Sequence, residues 1–147
     1  MTIALIMASL FQGAPEVPDN WVDAVAHVES GGEKDPDKAV GDAGRAKGRF
    51  QFWSVAWSDC SKVRAKYGLK TYPYSKATDP EISRSYAKTW LGYMRRVVSK
   101  QIGRPATLAE TWGAYNRGVG GFQRIGFDLK SMPASAKPHL AYLSKIK

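Results

Sequence analysis

The amino-acid sequence predicts a mainly α-helical single domain. Three observations carry that expectation. Apolar residues return at helical spacing through residues 21–29 and 82–97. Two segments, TDPEI at 78–82 and TLAE at 107–110, carry helix-start signals. No segment shows the apolar–polar alternation of a half-buried strand. The 147 residues suffice for one domain with a hydrophobic core and are short for two.

The N-terminus, MTIALIMASLF, is apolar from Ile3 to Phe11 apart from Ser9. It is too short to span a bilayer and has the length of a signal-peptide apolar region. It lacks the basic start and small-x-small cleavage site of such a signal, so it reads either as a cleaved signal or as a first packing helix. The linker QGAPEVPDN follows it, and the N-terminal segment over 1–18 precedes a domain over 19–147.

Asp19 or Asn20 can cap a helix through WVDAVAHVES. Trp21, Val25 and Val28 recur at helical intervals, as do Val22, Ala26 and Glu29, so Glu29 shares a face with Val22, Val25 and Ala26. Gly31 and Gly32 should end the helix through glycine's left-handed cap conformation. Residues 31–48 read as a loop, with glycines at 31, 32, 41, 44 and 48. The aromatic segment FQFWSVAWSDCSKVRAKYG, 50–68, reads as a helix ending at Gly68. Thr78 or Asp79 caps the next helix, with Pro80 in its first turn. Ile82, Tyr86, Trp90, Tyr93 and Val97 continue it on one face to about Gly103. The TLAE box opens LAETWGAYN, which should stop before Gly118, and a last short helix starts at Pro138.

The formal net charge is +9, which points to a polyanionic partner: nucleic acid, an anionic membrane or an acidic cell-wall polymer. The basic residues are spread over many segments and form no recognition motif, so nucleic acid is not expected. One cysteine, Cys60, excludes an intrachain disulfide and reads as a buried thiol. His27 and His139 lack metal-ligand spacing. Neither a metal nor a cofactor is expected.

The segment HVESGG holds the chemistry. A carboxylate on an apolar helix face loses hydration, which disfavours its charged form, and the negative end of the helix dipole acts in the same direction. Both effects raise the pKa of Glu29, and a proton-holding carboxyl is what glycosidic cleavage requires as its general acid. Taken alone, Glu29 reads better as a rim glutamate tilted to solvent.

The ordered blocks ESGG, GRFQF, ATDPEI and AYNRG resemble the lytic transglycosylases of the lysozyme superfamily, over about two-thirds of the chain from Trp21 to Gly121. The resemblance implies a lysozyme-like helical domain. It further implies cleavage of the β-1,4 bond between N-acetylmuramic acid and N-acetylglucosamine in peptidoglycan. By position, Glu29 matches the family's catalytic acid/base and Ser30 the small hydroxyl residue beside it. Gln51 matches the glutamine that lines the cleft near the sugar N-acetyl group. Tyr115 and Asn116 match the pair facing the glutamate, the tyrosine hydroxyl orienting its carboxyl. Gly48 matches the first residue of the usual Gly-Leu-Met-Gln block, while Arg49 and Phe50 replace its apolar pair. From residue type alone, Gln51 could satisfy loop backbone, Tyr115 could be a core aromatic, and Asn116 a helix cap.

Glu29 to Gln51 also resembles goose-type lysozymes without a gap. Those enzymes hydrolyse with a helper aspartate, and Asp42 falls on one of the two positions that carry such residues; Trp53 occupies the other. Asp42 keeps a hydrolytic route open, and it reads equally as a turn residue before Gly44. Of the tryptophans, 53, 57, 90 and 112 could stack on sugars. Helical spacing assigns most of them to the core and leaves Trp53, with Tyr72 or Tyr74, for substrate contact. The expectation is a monomeric extracytoplasmic enzyme acting on peptidoglycan glycan strands, with anionic wall polymers as further partners. The alternatives are a goose-type-like lysozyme and a non-catalytic peptidoglycan-binding module.

Overall fold

The computed structural model describes residues 2–147. Among the described residues there are six α-helices: α1 (Ile3–Leu10), α2 (Asp19–Ser30), α3 (Ser54–Lys66), α4 (Pro80–Ile102), α5 (Leu108–Arg124) and α6 (Lys137–Leu143). The mainly α expectation holds. A small antiparallel sheet, in the order β1 (Val40–Gly41), β2 (Ala46–Lys47), β3 (Phe52–Trp53), lies between α2 and α3 in the chain. The sequence reading found no strands. Each has only two residues, too few for an alternation to register. No helix among the described residues is long and apolar enough to cross a membrane.

The chain forms two compact units. Pro18–Thr89 holds α2, the sheet, α3 and the start of α4. Trp90–Lys147 holds the rest of α4, α5 and α6, together with the segment up to Val17, which includes α1.

In the first of these, α2 starts at Asp19 behind Pro18. Pro18 makes no side-chain cap bond, so neither Asp19 nor Asn20 is the cap. The Asp19 carboxylate instead sits in the first turn, where it suits the helix dipole, and accepts from Lys88 Nζ at 3.1 Å. Val22 and Val25 are fully buried and Ala26 nearly so, as the face pattern requires. The helix expected over 50–68 begins only at Ser54. Gln51 has a φ of 50° and Phe52–Trp53 pair with β2, so FQFW turns and extends before the helix starts. The aromatic core lies behind it. Trp57 stacks on Tyr86 at 3.7 Å between ring centres, and Phe52 meets Trp57 edge-on at 5.2 Å. The buried Arg64 guanidinium lies 4.6 Å from the Tyr86 ring centre. It donates to the carbonyls of Lys70 and Ser85 and to the Thr89 hydroxyl, which satisfies a charge that burial would otherwise penalise. Cys60 is buried as expected, and burial pushes its thiol pKa up to about 12.

The second unit is built on caps that the sequence announces. Glu110 N–H donates to the Thr107 hydroxyl at 3.2 Å, and the Glu110 carboxylate accepts from Thr107 N–H at 3.0 Å. The first stretch of α5 stops at Gly118, whose φ of 74° and ψ of 154° break the helix. In the first unit, where α4 starts, Asp79 is its cap, accepting from the N–H groups of Glu81 and Ile82. Of the expected face of α4, Tyr86 is fully buried, while Ile82, Trp90, Tyr93 and Val97 are half-buried; Ala87, Leu91, Met94 and Val98 form a more deeply buried line. Helix α1 has no buried residue, and Ile3 and Leu5 are exposed. Its C-terminal end is held by Arg96, which donates to the carbonyls of Leu10, Gln12 and Gly13.

Candidate active site

Glu29 is the penultimate residue of α2 and is half-buried. It projects from the last turn of a helix whose opposite end carries Asp19, so it lies at the negative pole of the helix dipole. Ser30, buried beside it, donates its hydroxyl to the Arg49 carbonyl at 2.7 Å, with the Ala26 carbonyl 3.2 Å away. This bond fastens the end of α2 to the GRFQ segment and limits how far the Glu29 backbone can shift. Gly31 does not adopt the expected left-handed cap: its φ is −63°. Its N–H donates to the His27 carbonyl at 2.9 Å, and a Cβ there would collide with that carbonyl. Glycine is required at this position for close approach of the backbone, not for chirality.

Arg49 takes the place of an apolar residue in the resembled block, and the structure gives it a partner. Its Nε and Nη2 donate to the two Asp37 carboxylate oxygens at 2.8 and 3.1 Å. The hydrogen bonds from Arg49 hold the Asp37 carboxyl below its usual pKa, outweighing the opposing effect of burial. Side chain and carbonyl of Arg49 therefore join the 36–38 turn, the sheet segment and the end of α2. Sequence reading alone missed this role, because its only signal was an unexpected charge in an apolar slot.

Gln51 uses its side-chain amide on the backbone, donating to the Gly48 carbonyl at 2.9 Å and the Ala39 carbonyl at 3.3 Å. Its Oε1 fills the space in which a Cβ at Gly41 would stand. Gln51 thus braces the loop, and a contact with sugar would come in addition to that role. Gly48 is confined more tightly, since its φ is 80° and a Cβ would meet the Ala77 carbonyl.

Asp42 and Trp53, the two positions singled out by the goose-type resemblance, are in contact. The Trp53 indole N–H donates to Asp42 Oδ2 at 3.0 Å. Asp42 is exposed and left-handed, with a φ of 50°, and Trp53 is 38% exposed, unlike the buried Trp57 and Trp112. Arg45 lies 4.9 Å from the Trp53 ring centre. The half-buried Tyr74 donates its hydroxyl to the Phe52 carbonyl at 2.5 Å, with the Arg45 carbonyl 3.2 Å from the same oxygen. Burial raises the Tyr74 pKa.

Tyr115 and Asn116 belong to the other unit, on α5 just before the break at Gly118; Tyr115 is half-buried and Asn116 exposed. Within that unit a cavity of about 320 Å³ is lined by Ile6, Leu10, Gln12, Glu16, Arg95 and Arg96, and holds none of the expected site residues. Among the described residues no group of His, Cys, Asp or Glu side chains is arranged to hold a metal ion. No family model, curated protein or solved structure matches this chain.

Proposed function

We propose that the chain is a peptidoglycan-cleaving muramidase of lysozyme-like fold, acting outside the cytoplasm on the MurNAc-β-1,4-GlcNAc bond as a lytic transglycosylase. The observation that carries this reading is the setting of Glu29. A half-buried carboxyl closes an apolar helix at its negative pole, and its neighbour Ser30 anchors it to GRFQ, the next block in the family's order. The small antiparallel sheet that follows α2 in the chain, with Asp42 and Trp53 at its edge, supports the same reading.

In the reaction, the Glu29 carboxyl gives its proton to the glycosidic oxygen, which leaves as the 4-hydroxyl of N-acetylglucosamine. The substrate's N-acetyl oxygen stabilises the charge that develops at the anomeric carbon. The Glu29 carboxylate then takes the proton of the muramic acid 6-hydroxyl as that oxygen bonds to the anomeric carbon. The bond is broken without water and Glu29 ends protonated, as it began. The family resemblance assigns Tyr115 the role of orienting the Glu29 carboxyl. Ser30 and Gln51 shape the ground on which the sugar lies, and Asn116, Asp42 and Trp53 provide polar and aromatic contacts to the glycan.

Digestion of purified sacculi followed by mass spectrometry tests the proposal. Soluble 1,6-anhydro-muropeptides, one water lighter than reducing-end products, are expected. A chain that binds sacculi and releases nothing is a binding module, and the proposal fails.

A further inference from the structure

The turn between β1 and β2 carries a cation held ready for a ligand. Arg45 sits beside the exposed Trp53 ring at 4.9 Å, and its Nε is fixed on the Asp42 carbonyl at 3.1 Å. Both Nη atoms lack a protein partner among the described residues, so the side of the guanidinium suited to bidentate recognition remains open. Lys47, two residues on, stands 5.2 Å from the Tyr74 ring centre and forms no ion pair among the described residues. Tyr74 links the two cations, since its hydroxyl contacts the Arg45 carbonyl and its ring carries Lys47.

The turn is strongly constrained. Asp42, Ala43 and Gly44 are left-handed in succession, with φ values of 50°, 56° and 88°. Non-glycine residues hold that conformation only where their surroundings impose it, and such sites concentrate where ligands bind. Here the Trp53 indole on the Asp42 carboxylate and Arg45 Nε on its carbonyl impose it. Two cations against the single Asp42 carboxylate leave this tip positive, and the Asp42 charge is already engaged by the indole.

We infer that Arg45, assisted by Lys47 and the Trp53 ring, is a recognition site for a carboxylate carried on the glycan strand. This rests on the muramidase reading, and it goes further by naming the substituent that the enzyme reads. A neutral N-acetylglucosamine chain offers no such group. A muramic acid strand does, as the carboxylates of its attached peptide or, where the peptide has been removed, as its lactyl carboxylate. The planar guanidinium forks onto a carboxylate while the adjacent indole supplies an apolar surface for the sugar or the lactyl methyl.

Binding is measured in the Glu29→Gln background, so that strands stay intact, by calorimetry with three probes: neutral chitooligosaccharide, peptide-bearing peptidoglycan strands, and strands stripped of peptide by an amidase. Arg45→Gln should weaken the muramic acid strands by about tenfold or more, the scale of a charged hydrogen-bonded contact, and leave chitooligosaccharide unchanged. Lys47→Gln should give a smaller loss with the same selectivity, which guards against a folding artefact in either variant. Loss on the peptide-bearing strand alone assigns the carboxylate to the peptide; loss on the stripped strand alone assigns it to the lactyl group, whose carboxylate is free only once the peptide amide is cleaved; loss on both means that the site accepts either carboxylate. Equal losses on all three probes, or none, overturn the proposal while the muramidase reading stands. Failure of the parent chain to bind any of the three fails both.

Discussion

The indole N–H of Trp53 donates to Asp42 Oδ2 at 3.0 Å, joining the two positions that the resemblance to goose-type lysozymes singles out for helper carboxylates. One of those positions is not an acid, and the other commits an oxygen to the indole. A carboxylate tied in this way is poorly suited to place and deprotonate a water on the far face of a sugar. Anhydro ends should therefore dominate the product, and Asp42→Asn should leave the ratio of anhydro to reducing ends unchanged. Mass spectrometry of the released muropeptides decides it. Predominant reducing ends that decline in Asp42→Asn would make the protein a lysozyme.

Glu29→Gln keeps the size and hydrogen-bonding reach of the side chain and removes the transferable proton. Release of soluble muropeptides should fall by at least ~10²-fold, the scale of one general acid/base, with the circular dichroism spectrum unchanged. Near-parental turnover would remove Glu29 from the mechanism.

Tyr115→Phe separates an orienting hydroxyl from a packing ring. If the hydroxyl aligns the Glu29 carboxyl, the loss appears in kcat, and strand binding and melting temperature hold. A fall in melting temperature with kcat preserved would return Tyr115 to the core.

The helices were legible where a side chain satisfies the backbone locally. Asp79 on two N–H groups and the reciprocal Thr107–Glu110 pair are short-range chemistry, so the sequence carries them directly. The sheet was not legible, because its strands are two residues long and its register depends on contacts such as the Gly48 N–H bond to the Ala39 carbonyl. FQFW resembled a helix start because Phe50 and Phe52 are buried aromatics. The left-handed Gln51 between them is fixed by its amide on the nearby Gly48 carbonyl and on the Ala39 carbonyl twelve residues away, and the second of these contacts is long-range. At the candidate site, the position of Glu29 at the end of an apolar face followed from periodicity. Its anchoring did not, because Ser30 bonds a carbonyl nineteen residues away, and Arg49 reveals its purpose only once Asp37 is beside it.

Glu110 offers a test of the fold that does not depend on the chemistry. Its side chain is only 9% exposed. Burial by itself would raise its pKa, but bonds from Arg104, Thr107 N–H and the Thr107 hydroxyl outweigh that and lower it. Arg104 contributes two contacts, at 2.8 and 2.7 Å. A carboxyl whose pKa is lower in the folded than in the unfolded chain stabilises the fold above its unfolded value, about 4.3 for glutamate. That stabilisation is lost as pH falls through the lower, folded value. Glu110→Gln discards the charge and weakens the cap, and should cost about 1–2 kcal/mol at pH 7. For a chain of this length that corresponds to a drop in Tm of about 2–4 °C per kcal/mol. The gap between parent and variant should be constant from neutral pH down to about pH 5 and should narrow below about pH 4, as the parent's carboxylate takes up its proton. Thermal melts across pH 3–7 measure it. A gap that widens on acidification would mean that burial, and not Arg104, governs the ionisation of Glu110.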